Sequence, residues 1–517
     1  MRVGMYNRWL ATLGGGEKLG LSIAETISQK YPVTVITHQP VSKDEAARRL
    51  SLDLSRIEFL TIPDRLAEEM TPVTEGYDLF ICASFMDYFP SRAGKSALLI
   101  YFPSQADLDP GLRLKRRLKL MLRHWFMLPS FVSGLVNLDP ATRPFTRWLD
   151  FPARMRLPAS PKPYGCSFSL SSHEKLARRV DVRLGNELVE TLELPLDHSP
   201  VECRFLVPAS NNKSFQEVTI LEAGQPSPEN HASVKVIMTD LRLDHIRHRF
   251  YRLLERSFRG IAWRLHIVPP GFHSVIESVD SYDAIWAISE FSQKWIWKYW
   301  NRSSEILYPP VNVEDYQPRP KKNIILNVGR FFAGNHNKKH LEMIAAFKEM
   351  VDEGLTGWEF HLAGGATPGE MHEEYLQQVL EQVKGYPIVV HIDIAFPDLI
   401  QLYGESAIYW HASGYGEDED REPIKFEHFG ITTVEGMASG CVPVVIGKGG
   451  QPEIVHHGQN GFLWRTIDEL KTYTLKVIHN PSLRRQLSEA ALSSSRRYDK
   501  KNFDARLQKL LEQIQAS

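Results

Sequence analysis

Two glutamates separated by seven residues give the clearest chemical signal in the chain. Glu427 opens a short segment that reaches Gly430, and Glu435 is expected in the first turn of the helix that follows. The free amides at the start of a helix attract anions such as a diphosphate, and glycine lets the ligand approach the backbone. A carboxylate one turn along suits neutral hydroxyl groups, such as those of a ribose. The segment therefore predicts an anion site beside a hydroxyl-binding carboxylate.

Two positive charges follow another predicted strand. This strand ends at Gly329 and places Arg330 at its carboxyl edge, which is where open α/β sheets bind ligands. Lys338 follows after a short loop. A pair of cations there would stabilise the negative charge that develops on a departing phosphate, as a metal ion otherwise does.

Glycines mark two further turns at strand ends. Gly14, Gly15 and Gly16 follow the first predicted strand and open a helix, and Gly364 and Gly365 close a strand in the C-terminal half. Either group alone also fits a tight turn, so these glycines support a site only together with the charged residues.

The strands that position these residues fall into two α/β stretches. Short runs that are apolar on both faces fit parallel sheets covered on both sides. In the N-terminal half the predicted strands cover residues 2–6, 33–37, 79–82 and 97–101, with a helix at 17–28. In the C-terminal half they cover residues 323–328, 359–363, 388–392 and 442–446. This pattern predicts two α/β domains built from βαβ units.

A β-rich stretch separates the two halves. Its predicted strands cover residues 166–170, 180–184, 201–207, 218–221 and 234–238. Their alternating pattern predicts a small inserted module that is like a β-sandwich.

Two arginine-rich amphipathic segments flank this stretch, near residues 112–128 and 245–265. One interpretation is that they dock on an anionic membrane surface. The alternative is that both are helices that pack on the N-terminal domain and keep their basic faces in water.

The composition excludes several classes of protein. Among the 517 residues, 61 basic and 62 acidic side chains nearly cancel, which argues against a nucleic-acid partner. The four cysteines lie far apart, without metal-site spacing, and fit reduced thiols. No apolar run is long enough to span a bilayer, and no signal peptide is recognisable. We expect a cytoplasmic protein, either free or peripheral on the cytoplasmic face of the membrane.

The segment from Glu427 to Glu435 resembles the E-x7-E motif of retaining GT-B glycosyltransferases of family 4. The residues that follow, 440–445 and 449–453, match the usual continuation of that motif. The segment is most similar to the mannosyl-transferring members. The resemblance is strong over residues 280–500, moderate over 1–103 and absent across the β-rich stretch.

The resemblance implies an α/β chain with the GT-B architecture, in which two Rossmann-like domains face a cleft. We therefore predict five segments. They are the first part of an N-terminal acceptor domain with a basic amphipathic segment, the inserted β-rich module, a return to the N-terminal domain, a C-terminal donor-binding domain and a helix that crosses back. The predicted bounds are residues 1–162, 163–243, 244–285, 286–490 and 491–517.

The resemblance also implies a role for each matching residue. The predicted catalytic residues are Arg330 and Lys338, at the leaving phosphate, and Glu427, near the transferred sugar. Lys339 is an alternative to Lys338, because the spacing from Arg330 is longer than in the commonest version of the family. Glu435 would bind the donor ribose. The other predicted donor contacts are Gly15, Gly16, Gly329, Gly364, His428, Phe429, Gly430, Ile431 and Thr432.

The sequence departs from the family at one strand end. Many relatives carry a histidine there, near the reacting sugar, whereas this chain has Tyr101, Phe102 and Pro103. An aromatic carbon ring cannot accept a proton, so that role is lost or has moved. His411 is a candidate for a donor or acceptor contact, and a purely structural histidine is an equally good interpretation.

Two acidic features also have alternative interpretations. The run of residues 417–420 could imitate a metal-binding DxD motif, but it fits an exposed loop better, so no metal site is predicted. Glu453 could contact a ligand or cap a helix.

The resemblance implies transfer of a hexose, with mannose favoured, and retention of configuration by front-face attack. The donor would be a nucleotide-diphosphate sugar that yields GDP or UDP, without a cofactor. The acceptor would be a glycan or lipid-linked saccharide in surface polysaccharide or glycoconjugate synthesis. Two alternatives stay open, namely an epimerase or phosphorylase of the same fold and a non-catalytic glycan-binding protein.

Overall fold

The computed structural model describes residues 1–62, 67–105, 110–136, 147–172, 178–185, 187–210, 216–223, 236–258, 265, 275–367 and 369–516. The chain forms two compact units. One unit holds Met1–Ala106 together with Val275–Ser517, and the other holds Asp107–Ser274.

The chain begins with alternating strands and helices of the N-terminal domain. The strands are β1 (Val3–Tyr6), β2 (Val33–Thr37), β3 (Ile57–Thr61), β4 (Leu79–Cys82) and β5 (Lys95–Ile100). The helices are α1 (Gly15–Ser28), α2 (Lys43–Leu50) and α3 (Ala67–Thr74). Strands β1, β2 and β4 are buried along their whole length, as expected for a parallel sheet covered on both faces.

The second unit contains helix α4 (Pro110–Trp125) near its start and helix α5 (Ile246–Ser257) after its strands. Between them lie eight antiparallel strands, namely β6 (Ser130–Val136), β7 (Arg147–Leu157), β8 (Tyr164–Ser172), β9 (Arg178–Leu184), β10 (Glu187–Leu194), β11 (Val201–Val207), β12 (Gln216–Glu222) and β13 (Val236–Asp244). They form one path, β10-β9-β12-β7-β13-β8-β11, with β6 paired to β7. The end strands β10 and β11 contact each other, so the sheet is rolled around one core and is not divided into two separate sheets.

The chain then returns to the first sheet. Helix α6 (Val275–Val279), strand β14 (Ala284–Ala287), helix α7 (Glu290–Trp300) and strand β15 (Glu305–Ile306) follow in order. The completed sheet has seven parallel strands in the order β15-β14-β5-β4-β1-β2-β3.

The C-terminal domain has a six-stranded parallel sheet in the order β18-β17-β16-β19-β20-β21. Its strands are β16 (Ile324–Val328), β17 (Glu359–Gly364), β18 (Ile388–Ile392), β19 (Ile408–His411), β20 (Val442–Ile446) and β21 (Phe462–Trp464). Its helices are α8 (His340–Asp352), α9 (Glu370–Gln382), α10 (Phe396–Glu405), α11 (Ile431–Ala438), α12 (Gln451–Ile454), α13 (Ile467–His479) and α14 (Pro481–Ser495). The last helix, α15, spans Lys500–Ala516.

The predicted domain boundaries are wrong for one helix and for two pairs of strands. Helix α5 belongs to the second unit, although residues 244–285 were predicted to return to the N-terminal domain. Its amphipathic pattern predicts a helix but not the unit on which the helix packs. Strands β6 and β7 belong to the rolled sheet, although residues up to 162 were predicted to belong to the N-terminal domain. Strands β14 and β15 belong to the N-terminal sheet, although the C-terminal domain was predicted to begin at residue 286. Both errors in the strands have a physical cause, because β7 carries a proline and several arginines and β14 has only four residues. Neither gives a periodic apolar signal of useful length.

One apolar core joins the two α/β domains. It includes Val3 and Leu99 of the first sheet and Leu326 and Val445 of the second. Helix α15 adds the buried side chains of Phe503, Leu507, Leu510 and Ile514 to the same core.

Helix α15 also contacts helix α1 through polar groups. Lys500 Nζ lies 3.3 Å from Glu25 Oε2, and Thr26 Oγ1 donates a hydrogen bond to Asp504. The C-terminal segment therefore ends on the N-terminal domain. Among the described residues, no helix is long and apolar enough to cross a bilayer.

Glu453 links the two α/β domains through a helix cap. Its two carboxylate oxygens accept hydrogen bonds from the backbone N–H groups of Glu290 and Phe291, both at 2.7 Å. These amides begin helix α7 of the N-terminal domain, so the helix-cap interpretation of Glu453 is confirmed. Burial raises the pKa of Glu453 to about 7, and the nearby charge of Glu290 acts in the same direction.

We expect the Glu453→Gln substitution to change how stability depends on pH. Because the folded-state pKa lies above the unfolded value of about 4.3, the stability from this group is present below pH 4 to 5 and is lost as the pH rises through about 7. Glutamine stays neutral throughout. The thermal midpoint of the native protein should therefore fall relative to that of the variant between about pH 5 and pH 8. Exposed Glu489→Gln serves as the control, and a Glu453→Gln difference that does not vary with pH would contradict this account.

Candidate active site

The turn after β16 brings three backbone segments into close contact. Gly329 N donates to Ala363 O at 2.9 Å, and a Cβ atom on Gly364 would lie only 2.0 Å from Gly329 O. A Cβ atom on Gly329 would lie 2.6 Å from Cγ of Lys338. Both glycines are therefore needed for close packing at the carboxyl edge of the sheet. This packing gives Gly364 a structural role, and its donor contact stays a prediction.

A partly buried ion cluster lies at this edge of the sheet, in which His411 is buried and about a fifth of each of the Lys338 and Glu427 side chains is exposed. Lys338 Nζ is 2.6 Å from Glu427 Oε2, and His411 Nε2 is 3.0 Å from the same oxygen. Burial would raise the pKa of Glu427, but Lys338 and His411 together hold it well below its usual range. Glu427 is therefore ionised, and its charge is held by two neighbours from different parts of the C-terminal domain.

His411 contacts Glu427 as a neutral imidazole. Burial lowers the pKa of His411, although the charge of Glu427 opposes this shift. Since an ionised carboxylate only accepts hydrogen bonds, Nε2 of His411 carries the hydrogen. Nδ1 of His411 is buried and has no hydrogen-bond partner among the described residues. The histidine therefore orients Glu427 and does not neutralise it.

The structure separates the two candidate lysines. Lys338 points to Glu427, whereas Lys339 Nζ lies 3.0 Å from Glu417 Oε1 and 3.8 Å from Glu342. Both lysines therefore pair with a carboxylate, but only Lys338 pairs with a glutamate of the predicted site. The donor role of Lys339 stays a prediction. Arg330 is exposed and has no ion pair among the described residues, and its guanidinium lies 5.7 Å from the ring of Phe332.

Helix α11 starts at this cluster. Its N-cap, Gly430, has a φ of +121°, and a Cβ atom there would lie 2.5 Å from Gln451 Nε2. Only glycine fits both the backbone conformation and the space. In the first turn, Thr432 Oγ1 accepts a hydrogen bond of 2.7 Å from Tyr409. Phe429, which precedes Gly430, is buried.

Glu435 lies one turn beyond the start of α11, slightly later than predicted. Tyr316 donates to its Oε1 at 2.8 Å, and Tyr403 donates to its Oε2 at 2.9 Å. Burial raises the pKa of Glu435, and Lys18 of the N-terminal domain and both tyrosines oppose that shift. Two fixed hydroxyl groups therefore orient the carboxylate, and each oxygen keeps a lone pair for a further donor.

The glycine loop of the N-terminal domain approaches the start of α11. A Cβ atom on Gly15 would lie 3.1 Å from Cδ1 of Ile431. Behind the loop, Tyr101 donates to Gly16 O at 2.7 Å, and a Cβ atom on Gly16 would lie 3.3 Å from Cε1 of Tyr101, a tight contact. Gly15, Gly16 and Ile431, all predicted donor contacts, therefore meet at one place between the two α/β domains.

Phe102 contributes an aromatic contact between these domains. Its ring stacks on His428, with the centroids 4.4 Å apart and an angle of 17° between the planes. Tyr101 supports the glycine loop. Many members of the family that this chain resembles carry a histidine at this strand end. Here Tyr101 forms a hydrogen bond with the glycine loop instead, and Phe102 stacks on His428.

Some residues at the site were not predicted from the sequence. His336 lies edge-on to His428, with centroids 5.3 Å apart, and 6.2 Å from Phe85 of the N-terminal domain. The long spacing between Arg330 and Lys338 was the only signal for it, since the additional loop residues include His336.

A polar cluster at the carboxyl edge of the N-terminal sheet was also not predicted. The hydroxyl of Tyr6 and Nε of Arg8 donate to the same oxygen of Asp87, at 2.6 and 2.7 Å. His38 Nε2 lies 3.0 Å from the Tyr6 hydroxyl. These residues follow or end strands β1, β2 and β4, so three neighbouring strands deliver them to one place.

The acidic run of residues 417–420 pairs with lysines. Glu417 contacts Lys339 and Lys425, both at 3.0 Å, and Asp420 contacts Lys298 at 3.0 Å. In the part of the chain that the structure describes, no group of three or more His, Cys, Asp or Glu side chains is arranged to hold a metal ion.

A sequence model of the family described as "Glycosyl transferases group 1" matches residues 311–494. The matched region contains Arg330, Lys338, Glu427 and Glu435, together with the start of helix α11. It therefore covers the C-terminal half of the site.

Several curated relatives are mannosyltransferases. The GDP-Man:Man(3)GlcNAc(2)-PP-Dol alpha-1,2-mannosyltransferase of Dictyostelium discoideum is 26% identical over 224 residues, which are 40% of this chain and 42% of that protein. The enzyme of the same name from Homo sapiens is 26% identical over 242 residues, or 42% of this chain and 45% of that protein. Alpha-1,3/1,6-mannosyltransferase ALG2 of Dictyostelium discoideum is 23% identical over 218 residues, which are 36% of this chain and 49% of that protein. The chain thus spans less than half the length of each of these relatives.

Solved structures resemble the chain over nearly its whole length. Anabaena Alr3699/HepE in complex with UDP has a TM-score of 0.53 at 12% identity and covers 99% of this chain and 100% of its own. Sucrose-phosphate synthase from Thermosynechococcus elongatus has a TM-score of 0.51 at 12% identity and covers both chains completely. With the two parallel sheets described above, these similarities confirm the GT-B fold.

Proposed function

We propose that this chain is a retaining, metal-independent GT-B glycosyltransferase of family 4 that transfers mannose from GDP-mannose to a lipid-linked saccharide. One observation carries the proposal. Lys338, the ionised Glu427 and the start of helix α11 lie at the carboxyl edge of one sheet, where Arg330 follows β16, and a glycine loop of the other domain approaches that helix start.

This arrangement suits a nucleotide-diphosphate sugar. Arg330, Lys338 and the amides that begin α11 would hold the diphosphate, and Glu435 would accept hydrogen bonds from the ribose hydroxyls. Glu427 would lie at the sugar, where its charge stabilises the positive charge that develops on the anomeric carbon.

The reaction would then proceed by front-face attack. The bond from the anomeric carbon to the diphosphate breaks as the bond to the acceptor oxygen forms on the same face. The acceptor proton passes to the departing phosphate oxygen, while Arg330 and Lys338 stabilise the charge that remains. The protein contributes positions and electrostatics, so the absence of a histidine at Phe102 does not interrupt the chemistry.

The preference for GDP-mannose and a lipid-linked acceptor comes from the relatives, which are named for GDP-Man and for an acceptor on PP-Dol. UDP-sugars are the second candidates, because a fold relative was solved in complex with UDP. The polar cluster of Tyr6, Arg8, His38 and Asp87 would face the acceptor, since it lies on the other domain.

The two alternative functions have less support. A glycan-binding protein has no need of two cations and an ionised glutamate at one sheet edge. An epimerase or phosphorylase would release a free sugar or a hexose phosphate, which mass analysis of the products distinguishes from a coupled glycoside.

Nucleotide binding and turnover test the proposed function directly. The chain should bind GDP more tightly than UDP or ADP in a calorimetric comparison. With GDP-mannose and a Man3GlcNAc2-pyrophosphoryl lipid it should release GDP and form a mannoside of retained configuration. Full turnover in the presence of EDTA is expected. A chain that binds none of the three nucleotides would overturn the proposal.

Neighbouring lysines provide a matched pair of variants. We expect Arg330→Ala and Lys338→Ala each to lower kcat by about 100- to 1000-fold, because each removes a cation from the leaving phosphate. Lys339→Ala should keep nearly native turnover, because Lys339 points to Glu417 of the acidic run, whereas Lys338 points to Glu427. Thermal midpoints of all three variants report whether folding is intact. Equal losses for Lys338→Ala and Lys339→Ala would contradict the assignment.

We further propose that the second unit docks on an anionic membrane surface. Helices α4 and α5 expose apolar side chains at helical spacing, with exposed fractions from 46% to 68%. These side chains are Leu114, Leu118, Met121, Leu122 and Trp125 of α4 and Ile246, Phe250 and Leu253 of α5.

The opposite faces of these helices bury polar groups. Arg123 of α4 and His248 and Glu255 of α5 are all less than 10% exposed. A surface helix usually buries its apolar face and exposes its polar face, and these two helices show the reverse. Exposed Lys115, Arg247, Arg249 and Arg256 lie among the apolar side chains, and such a mixture fits the boundary between headgroups and acyl chains of anionic lipids. The part of the predicted segment at residues 259–264 lies outside the described residues.

Vesicle co-sedimentation tests this surface. The native chain should bind vesicles that contain phosphatidylglycerol and bind pure phosphatidylcholine weakly. Replacing both Phe250 and Leu253 by serine should weaken binding about tenfold or more, since each side chain contributes roughly 1–2 kcal/mol when buried in lipid. Leu188→Ser, an exposed leucine of β10, is the matched control. Unchanged binding of the double variant would instead favour packing of these helices against protein.

A further inference from the structure

His336 occupies a distinctive place in the site. It lies on the loop between Arg330 and Lys338 and is partly buried. Its ring faces His428 edge-on at 5.3 Å and lies 6.2 Å from Phe85 of the N-terminal domain. Among the described residues, no side chain or backbone group forms a hydrogen bond with its two ring nitrogens. The imidazole thus brings an unused donor and an unused acceptor to the space between the two α/β domains.

The loop holds His336 in place through its neighbour. Asn337 Nδ2 donates to Phe332 O at 2.9 Å, and Asn337 Oδ1 accepts from Lys339 N at 2.6 Å and from the Tyr375 hydroxyl at 3.2 Å. All three contacts fix the loop backbone on both sides of residue 336. The ring is therefore presented by a braced loop, which suits a residue that must meet a ligand with little loss of entropy.

Nearby charges decide which form of His336 is present. Burial lowers its pKa to about 4, Lys338 and Arg330 act in the same direction, and Glu427 opposes them. At neutral pH the ring is uncharged, with one N–H donor and one lone pair. A neutral imidazole matches a hydroxyl group, which also donates and accepts once each. A diphosphate would accept a hydrogen bond from the imidazole N–H but would leave the imidazole lone pair without a donor.

We propose that His336 binds a hydroxyl group of the transferred hexose. The inference rests on the proposed function, in which Arg330 and Lys338 hold the diphosphate. His336 contacts His428 and Phe85, and Phe102 stacks on the same His428, so the ring of His336 lies where the C-terminal domain meets the N-terminal domain. A hexose attached to the diphosphate would extend into this space. Apolar rings on one side and an imidazole on the other match the mixed apolar and hydroxylated surface of a sugar.

A comparison of nucleotide and nucleotide sugar separates this role from a structural one. We expect His336→Ala to bind GDP with an affinity within about twofold of the native protein, because the histidine does not contact the nucleotide. Its affinity for GDP-mannose should fall about tenfold, which corresponds to one lost hydrogen bond. His336→Gln should recover part of that loss, since an amide also donates and accepts. Asn335→Ala, an exposed neighbour on the same loop, is the control.

Titration calorimetry with GDP and GDP-mannose gives both affinities, and thermal midpoints report whether each variant is folded. If His336→Ala binds GDP-mannose as the native chain does, the inference is overturned, and a change confined to the KM of the acceptor would assign the ring to the acceptor instead. Equal losses for GDP and GDP-mannose would indicate a structural role and also overturn it. A native chain that binds neither compound nor the matching UDP pair would overturn the proposed function itself.

Discussion

The ion cluster of Lys338, Glu427 and His411 is the interaction on which the rest of the site depends. Two charges and a neutral imidazole are held within 3 Å at the edge of a parallel sheet. Removing charges from water costs several kcal/mol unless each one is paired, so this cluster persists only because the three elements are fixed in position. Glycines 329, 364 and 430 allow that approach, and helix α11 begins where the cluster ends. The close packing of the backbone at Gly329 thus brings Lys338 to the position where it pairs with Glu427.

The orientation of Glu435 follows the same logic with neutral partners. Two buried tyrosine hydroxyls fix its carboxylate, whereas a lysine and a histidine fix Glu427. Burial raises the pKa of Glu435, while the charge of Lys338 and the hydrogen bond from His411 depress the pKa of Glu427. The two glutamates of one short segment thus differ in electrostatic character. That difference suits one carboxylate that meets neutral hydroxyls and another that faces developing charge.

Much of the fold could be predicted from the sequence, because buried parallel strands are nearly continuous apolar runs. Strands β2, β4, β18 and β20 have the predicted bounds. Strands β7 and β14 were missed, since one contains proline and arginines and the other is four residues long. The site divides in a similar way. Glu427 and Glu435 were found because their spacing lies within one segment, but local spacing could not distinguish Lys338 from Lys339 or bring His336 against Phe85. Those facts depend on contacts between residues far apart in the chain.

The apolar core shared by the two α/β domains limits how the space between them can open. Val3 and Leu99 lie in the same cluster as Leu326, Val445 and the buried face of α15, and Glu453 of one domain caps a helix of the other. A complete separation of the two domains would expose that cluster to water and would break the hydrogen bonds from Glu453 to the amides of Glu290 and Phe291. A movement that admits a substrate is therefore expected to keep the contacts of α15 and of Glu453 intact.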